Sequence, residues 1–299
     1  MDLLLHLRIF QRVAEAGSFS RAAEQLGLAP SSVSAAVQKL ERHLGARLLQ
    51  RTTRRVHASS DGALLLARCR TFLNDAGEVE QLFRSGERPA GLLRVEVPAR
   101  MARLQIAPAL PGFLAAYPGA SIDFGGSDRI TDLVGEGIDC ALRVGDPGDV
   151  NLAARSLGQL RHATCAAPAL LARHPPVRRV TDLAALPAIH FGRHPLTRRE
   201  PFEFLVGDVP VVQPMQGRVA VGNAETYIAC ALAGLGVIQV PRYDVVDQLR
   251  DGSLVELLPQ YPPPSQPLNA LYPAQHRGSR LLHAFIDWLE ALMAPYVER

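Results

Sequence analysis

The side chains with the most chemistry to offer lie within the first 55 positions. Ser18, Ser20 and Arg21 open one short segment. Pro30, Ser31, Ser32, Ser34, Ala35 and Gln38 lie along one side of a second, and Arg51, Thr53, Arg54 and Arg55 crowd a third. Hydroxyl and amide groups read base edges and phosphates, while guanidinium groups neutralise phosphates. Double-stranded DNA is the ligand such a set suits. Sets suited to catalysis are missing from the sequence. Cys69, Cys140, Cys165 and Cys230 lack CxxC or metal spacing and stand in apolar contexts, as reduced buried thiols do. The nine histidines form no HExxH pair, and His190 falls inside an apolar strand and reads as core. Gly234-Leu235-Gly236 lacks the third glycine of a dinucleotide loop, and there is no GxSxG elbow or phosphate loop. The expectation is a non-enzyme that needs no cofactor and no metal.

Three helices are needed to position the DNA-facing groups. Leu3, Leu7, Phe10 and Ala14 recur at 4-3-4 spacing, and Gly17 ends that rhythm. Ser18 suits the N-cap of a second helix whose apolar stripe is Phe19, Ala22, Ala23 and Leu26, with Gly27 where a left-handed end favours glycine. After the turn at 28–30, Val33, Val37, Leu40 and Leu44 predict one buried face, and Gly45 ends the helix. The opposite face then shows Ser31, Ser34, Ala35, Gln38 and Arg42. A helix-turn-helix presents its second helix to the major groove in this way.

The stretch 51–57, RTTRRVH, is basic and β-branched with no helical period, and predicts a short hairpin with its tip near Thr53-Arg54. Arg54 or Arg55 then lies against phosphates or enters a minor groove; a solvated basic loop is the plainer alternative. Charge divides at the same place. Residues 1–58 hold nine Lys or Arg against four Asp or Glu, and the rest holds 23 against 25. The basic surplus therefore sits in the part expected to meet phosphates.

Downstream, Leu65, Cys69, Phe72, Ala76, Val79 and Phe83 follow a 4-3-4-3-4 seam over nearly three heptads. Ser59 or Ser60 can cap this helix, Gly77 weakens it by about 1 kcal/mol, and Arg-Pro-Ala-Gly at 88–91 stops it. Such a seam fits a helix packed on its own domain or a dimer stalk, and its place between a DNA-binding unit and a breaker favours the stalk.

From residue 92 the pattern alternates. Strands are predicted at 92–97, 120–126 and 138–145, with helices at 106–117 and 129–137 between them, an order that implies a parallel sheet. A second set has strands at 160–167, 188–191, 218–221, 237–240, 254–258 and 268–272, and helices at 168–173, 224–233, 243–251 and 279–294, with Asn223 as an N-cap.

The chain resembles the LysR-type transcriptional regulators. The resemblance rests on Phe10, Val13, Ala14, Gly17-Ser18-Phe19, Ala22-Ala23, Leu26, Val33-Ser34, Leu40-Glu41, Leu44-Gly45, Leu48, Arg51, Arg54 and Gly62, with LAAYPG, GIDCALRVG, DLAALP and ALAGLGVIQVP in family order further on. Leu49, Ala58-Ser59, Pro30 and Ala35 depart from the family pattern, and the last two remove side chains that touch DNA in many members. The resemblance implies a multi-domain chain: an N-terminal all-α winged helix-turn-helix (1–58), a linker and dimerisation helix (59–90), and a C-terminal α/β two-lobed periplasmic-binding-protein-like effector domain (91–299). Lobe I would hold 91–160 and 267–299, and lobe II 161–266, with crossings near 158–161 and 262–267.

It further implies a regulator that binds promoter DNA as a dimer or tetramer, answers a small-molecule effector, and has RNA polymerase as a candidate partner. The cleft of a two-lobed domain lies at the carboxyl ends of its strands. That places Ala99, Arg100, Met101, Ser127, Val144, Phe191, Gly192, Arg193, Asn223 and Thr226 as effector contacts. Backbone N–H groups at the helix opening after Pro98 suit a carboxylate, and Arg100 and Arg193 hint at an anionic effector. A ligand-independent DNA-binding repressor or architectural protein with a non-functional cleft is the alternative. Without an apolar N-terminal stretch of signal or membrane length, the expectation is a cytoplasmic, nucleoid-associated protein with no membrane partner.

Overall fold

The computed structural model describes residues 2–51, 56–82, 88–129, 131–146, 152–192, 201–207 and 209–298. The first unit begins with α1 (Leu3–Ala16), α2 (Phe19–Leu26) and α3 (Pro30–Leu44). Local chemistry sets each boundary. The Asp2 carboxylate accepts from Leu5 N at 3.1 Å, and Ser18 Oγ accepts from Arg21 N at 3.4 Å. Pro30 opens α3 where no N–H is needed, and Gly17, Gly27 and Gly45 close the three helices at φ of 60°, 64° and 66°. Phe10, Val13, Ala22, Ala23, Val33, Val37 and Leu40 form the shared core, at most 1% exposed. Leu44, expected on that buried face, is instead 43% exposed, as the last residue of α3 before Gly45 turns the chain away. β1 (Leu49–Arg51) and β2 (Val56–Ala58) then pair antiparallel in the register Leu49↔Ala58, as a wing requires. The tip residues Thr53, Arg54 and Arg55 lie outside the described residues, and nothing is assigned to the Arg51 side chain.

Helix α4 (Ser60–Leu82) is capped by Ser59, whose Oγ accepts from Gly62 N at 2.9 Å. Its buried side is turned from the expected seam. Cys69 is 1% and Leu73 9% exposed, packed with Leu65 and Leu66 into the core of the first unit, whereas Phe72 is 48% exposed. Cys69 therefore serves its own domain, and the seam divides between an inward and an outward side. Ala76 is half-buried; the Val79 side chain and Phe83 lie outside the description.

Among the described residues the remaining chain builds two main sheets and a separate two-stranded hairpin. In the first, β3 (Gly91–Val97), β4 (Ala120–Gly126) and β5 (Cys140–Val144) are parallel. They are joined by a helical run of α5 (Ala99–Met101), a π-helical turn (Ala102–Ile106) and α6 (Ala107–Ala116), and then by the single turn α7 (Leu133–Glu136). The run starts earlier than the periodicity indicates, and Pro108 is accommodated in the first turn of α6. Conversely, α7 is far shorter than the predicted helix. β6 (Leu152–Leu160) is a strand the sequence did not announce, and it changes the sheet.

The chain leaves through Arg161 into β7 (His162–Ala166) and the second sheet. There follow α8 (Pro168–Leu171), β8 (Pro187–Phe191), a hairpin of β9 (Phe202–Val206) and β10 (Val209–Gln213), and β11 (Gln216–Val221). Next come α9 (Ala224–Leu232), β12 (Ile238–Pro241), α10 (Val246–Asp251) and β13 (Val255–Glu256). The chain returns through β14 (Gln266–Pro273), α11 (Arg280–Met293) and β15 (Val297–Glu298). Returning β14 inserts antiparallel between β5 and β6, so the first sheet is mixed, in the order β15-β6-β14-β5-β3-β4. The second lobe joins β12-β7-β13 to the parallel pair β8 and β11 through a bridge between Ala188 and Val237. Phe113, Phe285, Ile286 and Leu289 anchor the core of lobe I, and Leu183, Phe204 and Val237 that of lobe II.

Candidate functional site

Two places concentrate polar groups on rigid elements. The first is the outer side of α3. Pro30, Ser31, Ser32, Ala35 and Gln38 are exposed there, Ser34 is half-buried, and Val33, Val37 and Leu40 hold the other side in the core. Ser20 and Arg21, at the start of α2, are exposed as well, and Ser18 is used as that helix's cap. The Glu41 carboxylate accepts from Leu48 N at 2.8 Å and Leu49 N at 3.1 Å, so α3 itself fixes where β1 begins.

The second is a cleft of about 660 Å³ between the lobes. Of the effector contacts expected from the sequence, Ser127, Val144 and Phe191 line it. Ala99, Gly192, Asn223 and Thr226 do not, and Arg193 lies outside the described residues. Asn223 is occupied as a cap, its Oδ1 accepting from Thr226 N at 2.8 Å. Met101 is fully buried in the core of lobe I, since its side chain points inward from the first turn after β3.

Arg100 also departs from expectation. It is 5% exposed, donates from Nη1 to Glu225 Oε2 at 2.7 Å and from Nε to the Asp244 carbonyl at 2.8 Å, and so is matched inside the protein. Arg103 adds a second 2.7 Å bond to Glu225. Together they hold the Glu225 carboxyl below the usual range, chiefly through the hydrogen bond from Arg103. The carboxylate expected at the helix opening after Pro98 is present, but the chain supplies it: Asp128 Oδ1 accepts from Ala99 N at 3.1 Å.

Among the wall residues that sequence reasoning missed are Asp128, Arg143, His162, Tyr227, Gln239 and Asp244. Asp128, Arg143 and Tyr227 each stand next to a position the pattern marked, Ser127, Val144 and Thr226; the other three carry no local signal. Arg143 is half-buried and donates to Leu142 O, Arg129 O and Thr131 Oγ1, none of them a carboxylate. Burial lowers its pKa, and also lowers that of His162, which favours the neutral imidazole. Asp244 is 4% exposed, and burial pushes its carboxyl up to about 7 although Arg100 opposes the shift. Gln239 imitates a strand edge: its amide donates to Glu203 O at 2.9 Å and accepts from Glu203 N at 3.2 Å, docking the β9 hairpin at the cleft.

Cys69, Cys140 and Cys165 are buried as expected, while Cys230 is only half-buried. Burial pushes their thiols up, to about 11 for Cys69 and about 12 for Cys140 and Cys165, away from the thiolate form that reacts. His190, 3% exposed, is buried as expected, but it also lines the cleft rather than serving the core alone. Among the described residues no His, Cys, Asp and Glu cluster suits a metal, and no helix is long and apolar enough to cross a membrane.

A winged helix-turn-helix joined by a long helix to a two-lobed cleft domain is the architecture of a DNA-binding transcriptional regulator with an effector domain. Residues 4–63 match the family model described as bacterial regulatory helix-turn-helix protein, lysR family, and residues 86–294 match the LysR substrate binding domain. The chain belongs to the LysR-type transcriptional regulators. It is 36% identical to the HTH-type transcriptional regulator YhjC of Escherichia coli over all of both chains. Among solved structures it resembles CrgA, a LysR-type regulator from Neisseria meningitidis, with a TM-score of 0.59, 29% identity, and 96% of this chain and 97% of that one covered. A full-length OxyR variant from Pseudomonas aeruginosa shares the fold with a TM-score of 0.71 at 18% identity, covering 100% of this chain and 99% of that one.

Proposed function

We propose that the protein binds promoter DNA as a dimer paired through α4, itself able to form a tetramer, and that a small molecule in the cleft sets the arrangement of the paired DNA-binding units. The single observation that carries the DNA reading is the exposed row Ser31, Ala35 and Gln38 on a helix whose other side is the domain core. Ser20 and Arg21, exposed at the start of α2, and half-buried Ser34 extend that face toward phosphates, with Ser18 capping the helix that carries the first two. Contacts by Arg51, Thr53, Arg54 and Arg55 remain an expectation from the sequence. In this reading residues 1–58 form the DNA-binding unit, 59–90 the linker, 91–160 with 267–299 lobe I, and 161–266 lobe II. The strand exchange at Arg161 and the segment between β13 and β14 support that division.

Arg143, rather than Arg100, is the guanidinium suited to an anionic effector, because its partners are carbonyls and a hydroxyl. An effector that binds two arrangements of the lobes unequally shifts their populations and hence the DNA-bound geometry. The internal pairing of Arg100, Glu225 and Asp128 favours a second reading, a regulator whose cleft answers no ligand. In either case the role is regulatory rather than catalytic.

The double variant Ser34→Ala, Arg54→Ala tests the DNA face by anisotropy on a promoter fragment over a salt series. Weaker binding with a shallower salt slope is expected. Unchanged affinity and slope would remove these residues from the interface.

A further inference from the structure

We propose that Asp128 is an internal latch: a carboxylate, supplied by the chain itself, that ties the openings of two helical runs, one in each lobe, and sets the spacing of the lobes across the cleft. Its Oδ1 accepts from Ala99 N at 3.1 Å, at the start of α5 in lobe I. Its Oδ2 accepts from Ala224 N at 2.7 Å, at the start of α9 in lobe II. Both donors stand at first helical positions, where a backbone N–H has no partner within its own helix. One side chain thus satisfies an orphan donor in each lobe, and charge assistance strengthens both bonds.

The latch does not act alone. Beside it Arg100 and Arg103, from the lobe I run, hold Glu225 in α9, and Arg100 also holds the carbonyl of Asp244. The side chain of Arg100 is only 6% exposed, so water competes little for its bond to the Asp244 carbonyl, whereas Glu225 and Arg103, 39% and 58% exposed, form the solvated rim of the same contact. One consequence rests on the cleft being the effector site. A carboxylate arriving there finds the helix openings already filled by Asp128, and Arg143, whose hydrogen bonds go to two carbonyls and a hydroxyl, is a guanidinium that still lines the cleft.

Chemical rescue tests the latch in the full-length protein without effector or DNA. Asp128→Ala should lower the melting transition by roughly 4–8 °C. Sodium formate, against sodium chloride at equal ionic strength, should restore part of that loss saturably and leave the original protein unchanged. Ala224→Pro deletes only the lobe II donor, at the helix position that best tolerates proline. It should lower the transition by itself, and in the double variant, where only the Ala99 N–H remains to bind formate, it should weaken the formate effect. An Asp128→Ala protein that melts with the original, or a formate response equal in both, overturns the proposal. If Asp128→Ala does not fold, Ala224→Pro decides, and a melting transition equal to the original's overturns the latch. A negative outcome counts against the latch and leaves the cleft reading standing, whereas a cleft that takes no effector leaves the rescue intact.

Discussion

Glu41 and Leu48 are joined by a 2.8 Å hydrogen bond from the Leu48 N–H to the Glu41 carboxylate, and the Leu49 N–H adds a second at 3.1 Å. Helix α3 thereby fixes where the first strand of the wing begins. Glu41→Ala leaves two part-buried donors unmatched and should cost about 1–3 kcal/mol in thermal unfolding, with weaker promoter binding. Glu41→Gln, which keeps an acceptor oxygen, should lie between. A fully stable Glu41→Ala protein would show that the wing is held by other contacts.

Gly62 in α4 should resist replacement. Glycine to alanine within a helix ordinarily stabilises by about 0.5–1 kcal/mol. Here a Cβ at Gly62 would stand 1.9 Å from the carbonyl oxygen of Leu48, so helix and strand must separate. Gly62→Ala should therefore lower the melting temperature, and a rise would contradict the close packing.

If α3 is the DNA-facing helix proposed above, readout and electrostatic anchoring should separate along it. Gln38→Ala should reduce discrimination between promoter and random DNA by about 1–3 kcal/mol with the salt slope unchanged. Arg42→Ala, removing an exposed cation from the same helix, should lower the slope by about 1 and weaken all sequences alike. Anisotropy over a salt series distinguishes the two patterns, and identical behaviour of both variants would refute the division.

Leu64 and Phe72, 69% and 48% exposed, stand on the outward side of α4. Phe72→Glu should give monomers in sedimentation and lose promoter affinity, while Cys69→Ala, inside the domain core, should cost stability instead. Dimers that persist in Phe72→Glu would move the pairing surface elsewhere.

Asp244 should make stability depend on pH. Its carboxyl is raised from an ordinary 3.8 to about 7, first by burial and then by the charges of Asp128 and Glu225, against the opposing pull of Arg100 and Arg103. The folded chain thus binds a proton that the unfolded chain releases, and stability falls as pH rises from near 4 through 7. Asp244→Asn lacks that slope. Its stability relative to the original should rise between about pH 4 and pH 7, by at most about 1.4 kcal/mol per pH unit. Parallel stability curves over that range would rule the effect out.

Much of the N-terminal unit was legible because its signals are local. Gly17, Gly27 and Gly45 all take left-handed backbone at helix ends, Asn223 caps α9, and the apolar spacing through Phe10, Val33 and Leu40 names the core. The effector domain was read less well. β6 and the β9–β10 hairpin carry short, mixed-polarity runs that become strands only through distant partners, such as β14 beside β6 and Gln239 beside Glu203. The α4 seam misled for a related reason: its period is right, but only packing against the first unit decides that Cys69 turns inward and Phe72 outward.

Caps, turns, periodicity and charge distribution depend on residues a few positions apart, so the sequence by itself determined the helix-turn-helix and the linker helix, while the two-lobed class followed from the family resemblance. The roles of Arg100 and Asp128 depend on partners about a hundred positions away. From sequence Arg100 is a loop cation awaiting a ligand, and Asp128 is unremarked beside Ser127. Only the tertiary structure brings Glu225, Asp244 and the Ala224 N–H to them, and at 2.7–2.8 Å those groups take up the charge that an effector would otherwise meet.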